Sequence, residues 1–323
     1  MWFGGNLAFI GEIETGKIMA FLNYLVQILS SLMMAVMLLM IFSRAQASAK
    51  RINEVLETES SIKDIEHPEQ LEKFDVEFKN VCFRYNEQDE EYILKDINFT
   101  AKPGETIGII GGTGSGKSTL IQLIPRLYDT TSGEVLIGGK NVKNVSAKEL
   151  RQKVGVVMQE SILFSGTIRE NLKWGNENAS QEELIKASKD AAAYEFIEKY
   201  PDGFDKEVEQ RGKNFSGGQK QRLSIARTYV RDPEILIFDD STSAVDMSTE
   251  ADILSDLKKH QNGKVVFIIA QRISAIADAD KIIVLDGGNI IEQGTHEQLL
   301  KDEGLYAHLW DIQEKSCNWK VNV

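Results

Sequence analysis

Cysteine is nearly missing from this sequence: Cys82 and Cys317 are the only two, far apart and without metal-ligand spacing. That argues against a disulfide framework or a zinc site and makes a reducing compartment the default. Low-complexity tracts are missing as well. A hydrophobic content of 42% and a charged content of 27% are those of an ordinary globular protein. An excess of basic residues is also lacking. The formal net charge is −12, which speaks against nucleic acid as the main partner, because phosphate binding wants a basic face. The 323 residues leave room for about two domains.

Locally, charge vanishes altogether. Residues 18–42 read IMAFLNYLVQILSSLMMAVMLLMIF, about 25 uncharged residues, enough to cross a hydrocarbon core of roughly 30 Å as a helix. No basic n-region precedes the run and no small-residue cleavage site follows, which argues against a signal peptide. Asn23, Gln27, Ser30 and Ser31 fall inside the run and are expected to face another helix or a wet cavity. Arg44, Lys50 and Arg51 follow it, placing that end in the cytoplasm. Trp2–Ile10 is apolar but too short to cross alone. It reads as the tail of an earlier span, joined by the outside loop GEIETGK.

After the run, Ala45, Ala49, Ile52, Val55 and Leu56 share one helical face, a continuation of the spanning helix. The polar, proline-containing stretch KDIEHPEQ reads as a linker. The boundaries expected are therefore 1–68 for the membrane part and 69–323 for a second domain. That domain alternates strands and helices. DVEFKNVCFRY is a half-buried strand, and ETIGIIG is an apolar strand followed by a glycine turn and a helix, KSTLIQLIPRLY. EILIFDD and KVVFIIA are further apolar strands. Such alternation implies an α/β fold with a mainly parallel sheet, ligands lying at the carboxyl ends of its strands. Residues 161–229 read as an inserted helical subdomain.

The stretch GGTGSGKST comprises Gly111, Gly112, Thr113, Gly114, Ser115, Gly116, Lys117, Ser118 and Thr119. It matches the phosphate-binding loop pattern in its required strand–turn–helix context. Its glycines let backbone N–H groups turn toward phosphates, Lys117 reaches the terminal phosphates, and the Ser118 hydroxyl ligates Mg²⁺. Asp239 ends an apolar strand, where a carboxylate holds the same Mg²⁺ directly or through water. Ser216, Gly217, Gly218 and Gln219 stand before an amphipathic helix. Alone they fit a plain N-cap; beside a phosphate loop they suit an anionic γ-phosphate.

GGTGSGKST, VVMQE, FSGGQ, ILIFDD, STSAVD and IIAQR follow one another in this order. The combination resembles the nucleotide-binding domain of an ATP-binding cassette (ABC) transporter. The stretch ahead of it resembles the last membrane helix of an exporter half-transporter. The resemblance covers essentially the whole chain. It implies a P-loop NTPase fold with a RecA-like sheet, an antiparallel β subdomain and a helical subdomain. It also implies ATP and Mg²⁺ as cofactors, a cytoplasmic cassette on a multi-pass membrane protein, and a head-to-tail pairing of two cassettes. Residue by residue, it implies that Tyr85 stacks on adenine and that Gln159 senses Mg²⁺. Ser216 to Gln219 close on ATP held by a partner, and Asp246 belongs to the dimer-interface turn.

Two positions depart from that pattern. The family generally has a water-orienting glutamate where this chain has Asp240, whose carboxylate is withdrawn by roughly 1.5 Å. The switch histidine is Gln271, which can hydrogen-bond a phosphate oxygen but cannot carry a proton or a charge. Both point to a site that binds ATP and turns it over slowly, in the degenerate half of a heterodimeric exporter. A homodimer with two slow sites is the alternative. A soluble cassette ATPase without transport, or a binding-only protein that sequesters a partner cassette, are rivals from other classes. Only the last of six membrane helices is complete, so a truncated subunit or gene fragment is expected. Cargo is not legible.

Overall fold

The computed structural model describes residues 2–63, 65–86, 88–240 and 263–321. The chain divides into two compact units, Met1–Ser61 and Ile62–Val323. In the first, α1 (Trp2–Phe9) and the long α2 (Thr15–Leu56) are joined by a short turn. Helix α2 is continuous over 42 residues, about 63 Å at 1.5 Å per residue. The apolar run and its polar continuation are thus one helix. Among the described residues, α2 is the helix long and apolar enough to cross a membrane. Its Ser31 and Ser43 hydroxyls donate to the carbonyls of Gln27 and Leu39, four residues back. These two hydroxyls thus find an acceptor within their own helix.

The second unit is built on two sheets. The smaller is antiparallel, in the order β2 (Leu94–Ala101), β1 (Val76–Phe83), β4 (Ser132–Ile137), β5 (Lys140–Asn141). The larger has six strands, in the order β12 (Asn289–Gly294), β11 (Lys281–Asp286), β3 (Thr106–Gly111), β10 (Val265–Ile269), β9 (Ile235–Asp239), β6 (Val154–Val157). Its strands pair in parallel, except for β12 at the edge. Apolar runs replace alternation in β9 and β10 because both faces are covered. Ile235 and Ile237 point into a core shared with the antiparallel sheet. Leu236 and Phe238 point into a core shared with the helices.

Short α3 (Lys117–Gln122) follows β3, and α4 (Ala147–Lys153) precedes β6. The regular helix after the glycine turn is shorter than KSTLIQLIPRLY suggests. Pro125 supplies no N–H, and Arg126 takes a left-handed φ of 50°, so the chain leaves the helix in tight turns. The helical subdomain contains α5 (Ile168–Lys173), α6 (Gln181–Asp190), α7 (Tyr194–Ile197) and α8 (Gly217–Val230). It also holds a two-stranded pairing of β7 (Gly166–Thr167) with β8 (Glu207–Val208). Two helices close the unit, α9 (His296–Lys301) and α10 (Leu305–Val321). The stretch read as a linker docks on this unit before the first strand: Glu69 bridges Val145, and the Leu71 amide donates to Glu149 at 3.2 Å.

Candidate functional site

Four adjacent parallel strands, β3, β10, β9 and β6, deliver the chemistry-bearing residues at their carboxyl ends. The glycine loop follows β3, Gln271 follows β10, Asp239 ends β9 with Asp240 next in the chain, and Gln159 follows β6. Residues spread over more than 150 positions of sequence meet because the strands lie side by side.

In the glycine loop, Gly116 takes a φ of +98°, and a Cβ there would meet the Leu94 side chain at 2.8 Å and the Ile93 carbonyl at 3.1 Å. At Gly111 a Cβ would meet the Leu285 carbonyl at 2.1 Å. Above Gly112 and Gly114, by contrast, nothing lies within 4 Å, so the loop is tightly seated below and open above. The Lys117 ammonium donates to the carbonyls of Gly111 at 2.9 Å and Gly112 at 2.8 Å, and to Ser115 Oγ at 3.4 Å. Burial lowers its pKa, against the pull of Asp239 and Asp240.

Asp239 is 5% exposed, and its Oδ1 accepts from Ser118 Oγ at 3.0 Å. Burial raises its pKa first; the neighbouring Asp240 adds to the rise, while Ser118 and Lys117 oppose it. A buried carboxylate and a hydroxyl at this separation form a hard oxygen pair of the kind a magnesium ion takes. The donor set therefore fits Mg²⁺. The Gln159 amide nitrogen donates to Asp240 Oδ2 at 3.1 Å.

Asp240 is 6% exposed, with a left-handed φ of 45°. That conformation is uncommon outside glycine and costs of order 1 kcal/mol or more. Its amide donates to the Ile269 carbonyl at 3.0 Å, which locks the turn. Oδ2 receives a second amide, from Gln271 at 2.6 Å. Burial raises the Asp240 pKa, and the Gln271 hydrogen bond, Lys117, Arg272 and the Gln159 hydrogen bond oppose that rise.

Tyr85 joins the site from the antiparallel sheet. Its hydroxyl lies 3.1 Å from Thr119 Oγ1. The ring packs edge-on against Phe83 at 5.0 Å and Tyr128 at 5.1 Å, and it is 46% exposed. Sequence reading missed Tyr128, although an aromatic following a proline turn beside the phosphate loop is a usable signal. Ser216 caps α8 in a reciprocal box: its hydroxyl accepts from the Gln219 amide, and its own amide donates to the Gln219 side chain. Phe215 is buried beneath. The plain N-cap reading is met, and Ser216 and Gly217 are exposed. The structure does not bring Ser216–Gln219 into the cluster around Lys117 and Asp239 through any hydrogen bond among the described residues. Asp246 lies outside the described residues.

A mixed, mainly parallel sheet with a glycine loop after β3 and acidic residues at the end of β9 defines a P-loop NTPase fold, here preceded by an apolar helix that is a candidate membrane span. The sequence profile of the family described as "ABC transporter" matches residues 94–243. An uncharacterized ABC transporter ATP-binding protein of Bacillus subtilis, YfiB, is 46% identical over 313 residues, covering 97% of this chain and 54% of its own length. A putative multidrug export ATP-binding/permease protein of the same organism, YgaD, is 40% identical over 311 residues, covering 96% of this chain and 53% of its own. The solved structure of a bacterial Atm1-family ABC exporter with ATP bound superposes with a TM-score of 0.79 at 39% identity, covering 84% of this chain and 48% of that one. The chain belongs to the ABC transporter family and carries its ATP-binding domain. It spans about half the length of the curated relatives it matches.

Proposed function

We propose that this chain is the ATP-binding part of an ABC exporter subunit whose own ATP site binds nucleotide well and hydrolyses it slowly. The phosphates would rest on the backbone of Gly112–Gly116 with Lys117 across them, and Tyr85 would offer its ring to the base. Ser118 and Asp239 would hold Mg²⁺, assisted by Gln159. When bound, the ion would offset the phosphate charge.

The observation that carries the slow-site reading is the state of Asp240. Its carboxylate is one methylene short of a glutamate, and both Gln159 and Gln271 donate to the same oxygen, Oδ2. A carboxylate must present an oxygen to water in order to orient it or take its proton. Here that group is withdrawn by roughly 1.5 Å and already engaged. Displacement on the order of 1 Å can cost about a hundredfold in rate. Gln271 adds no proton and no charge.

Ser216, Gly217, Gly218 and Gln219 retain the signature pattern and would serve ATP held by a second cassette. The partner on this reading is another half-transporter subunit, carrying glutamate and histidine at the two altered positions. ATP binding across the pair would bias membrane helices between inward-open and outward-open states, with hydrolysis in the partner's site releasing them. Asp246 would contribute to the interface turn. Turnover by the purified chain alone should be near background and should rise on addition of the partner; brisk turnover by the chain alone ends the slow-site reading.

A homodimer with two slow sites remains the second reading on the same residues. A soluble cassette ATPase is disfavoured by the unbroken α2, whose apolar side chains are exposed along its length. Retention in the membrane fraction after a high-salt wash is expected, and release would favour the soluble class.

A further inference from the structure

Gln271 meets Asp240 from the loop that follows β10. That loop receives a fastening from far down the chain. The Gln313 side chain, on α10, donates from Nε2 to the Gln271 carbonyl at 2.9 Å and accepts at Oε1 from the Ile273 amide at 2.9 Å. One amide group thus satisfies two backbone groups two residues apart, the pairing that a neighbouring strand would make. Ile273 is fully buried below.

The helix that carries Gln313 is anchored independently. Tyr306 is fully buried, and its hydroxyl lies 2.7 Å from His296 Nδ1. The backbone amides of Leu305 and Tyr306 donate to the Glu292 carboxylate on β12. Gln313 follows Tyr306 by seven residues, about two helical turns, so the two share a face. The chain of contacts is therefore continuous: β12 through Glu292 to α10, α10 through Gln313 to the loop, the loop through Gln271 to Asp240.

We propose that Gln313 is a positioning residue for the ATP site, which sets the reach of Gln271 to Asp240 by fixing the backbone at both Gln271 and Ile273. The inference rests on the reading of Asp240 and Gln271 as parts of that site. It adds that the closing helix controls them.

The test uses the full chain in detergent or lipid nanodiscs with MgATP. Gln313→Ala should speed amide hydrogen exchange over 271–276 by about tenfold, the loss expected for a hydrogen bond, while leaving ATP affinity within about twofold. Residual hydrolysis, followed over hours, should change by the same factor in Gln313→Ala and Gln271→Ala, upward because each loosens the Gln271 hydrogen bond that occupies Asp240 Oδ2. The double variant should match Gln271→Ala alone, since a residue that acts through Gln271 has nothing left to act on. Additive effects in the double variant, or unchanged exchange over 271–276, overturn the proposal. Gln313→Glu is the milder check should Gln313→Ala unfold. It can still accept from Ile273 but turns an oxygen toward the Gln271 carbonyl, so exchange should rise at 271–272 with Ile273 still protected; uniform protection counts against the tether. Fast hydrolysis by the unaltered chain would sink the slow-site reading, yet the double-variant comparison would still decide the role of Gln313.

Discussion

Asp240 holds an awkward backbone conformation so that its short side chain can meet two glutamines. Lengthening it and restoring an ionisable ring nearby should release the chemistry. Asp240→Glu combined with Gln271→His is expected to raise turnover at this site by about ten- to a hundredfold, measured as phosphate release by the assembled transporter. Asp239 carries a pH signature. In the unfolded chain it ionises at the ordinary carboxylate value of 3.8, and in the folded chain burial moves it upward. Between the two values the folded state holds the extra proton, so stability falls as pH rises through that window and stays lower above it. Asp239→Asn should flatten this decline in nucleotide-free thermal unfolding and should remove the stabilisation that MgATP gives the unaltered chain. The identities of Lys117, Ser118, Asp239 and Asp240 were legible in the sequence because each sits at a fixed offset from a glycine loop or a strand end. That Gln159 and Gln271 would share one oxygen of Asp240 was not. Side-chain rotamers across three strands decide it, and no spacing encodes them.

Among the elements, the turn into α3 tolerates least. Gly116 combines a left-handed φ with a neighbouring leucine at 2.8 Å and a carbonyl at 3.1 Å from any added Cβ. Gly116→Ala should lower stability by about 1–3 kcal/mol and weaken ATP binding further, read by chemical denaturation and nucleotide titration. Gly114→Ala has a left-handed φ but open space around it. It should cost about 1 kcal/mol in stability while still obstructing the approach of a phosphate. Strands β3, β9 and β10 were readable because apolar residues buried on both faces leave an unbroken hydrophobic run. The early end of α3 was half-readable from Pro125. The tether from α10 left no trace, since Gln313 binds backbone groups, which every residue has, and sits 42 positions from Gln271.

At the scale of the whole molecule, the order of the strands matters more than any single loop. Because β10 lies between β3 and β9, Gln271 is flanked by the glycine loop on one side and the acidic pair on the other. The presence of two parts, one apolar and one α/β, could be read from composition alone. Residues 69–71, which the sequence reading assigned to the second domain, dock on the second unit through the Glu69–Val145 bridge and the Leu71 amide. Helix α2 also has a practical consequence. Leucine, methionine, valine and phenylalanine side chains lie open on every side of it, an area far beyond what a monomer keeps wet. Without lipid or detergent the purified chain should therefore clump, giving a broad, concentration-dependent elution profile. Removal of 1–61 should yield a single sharp peak, and any kinetic constant obtained from the intact chain in plain buffer would describe the aggregate.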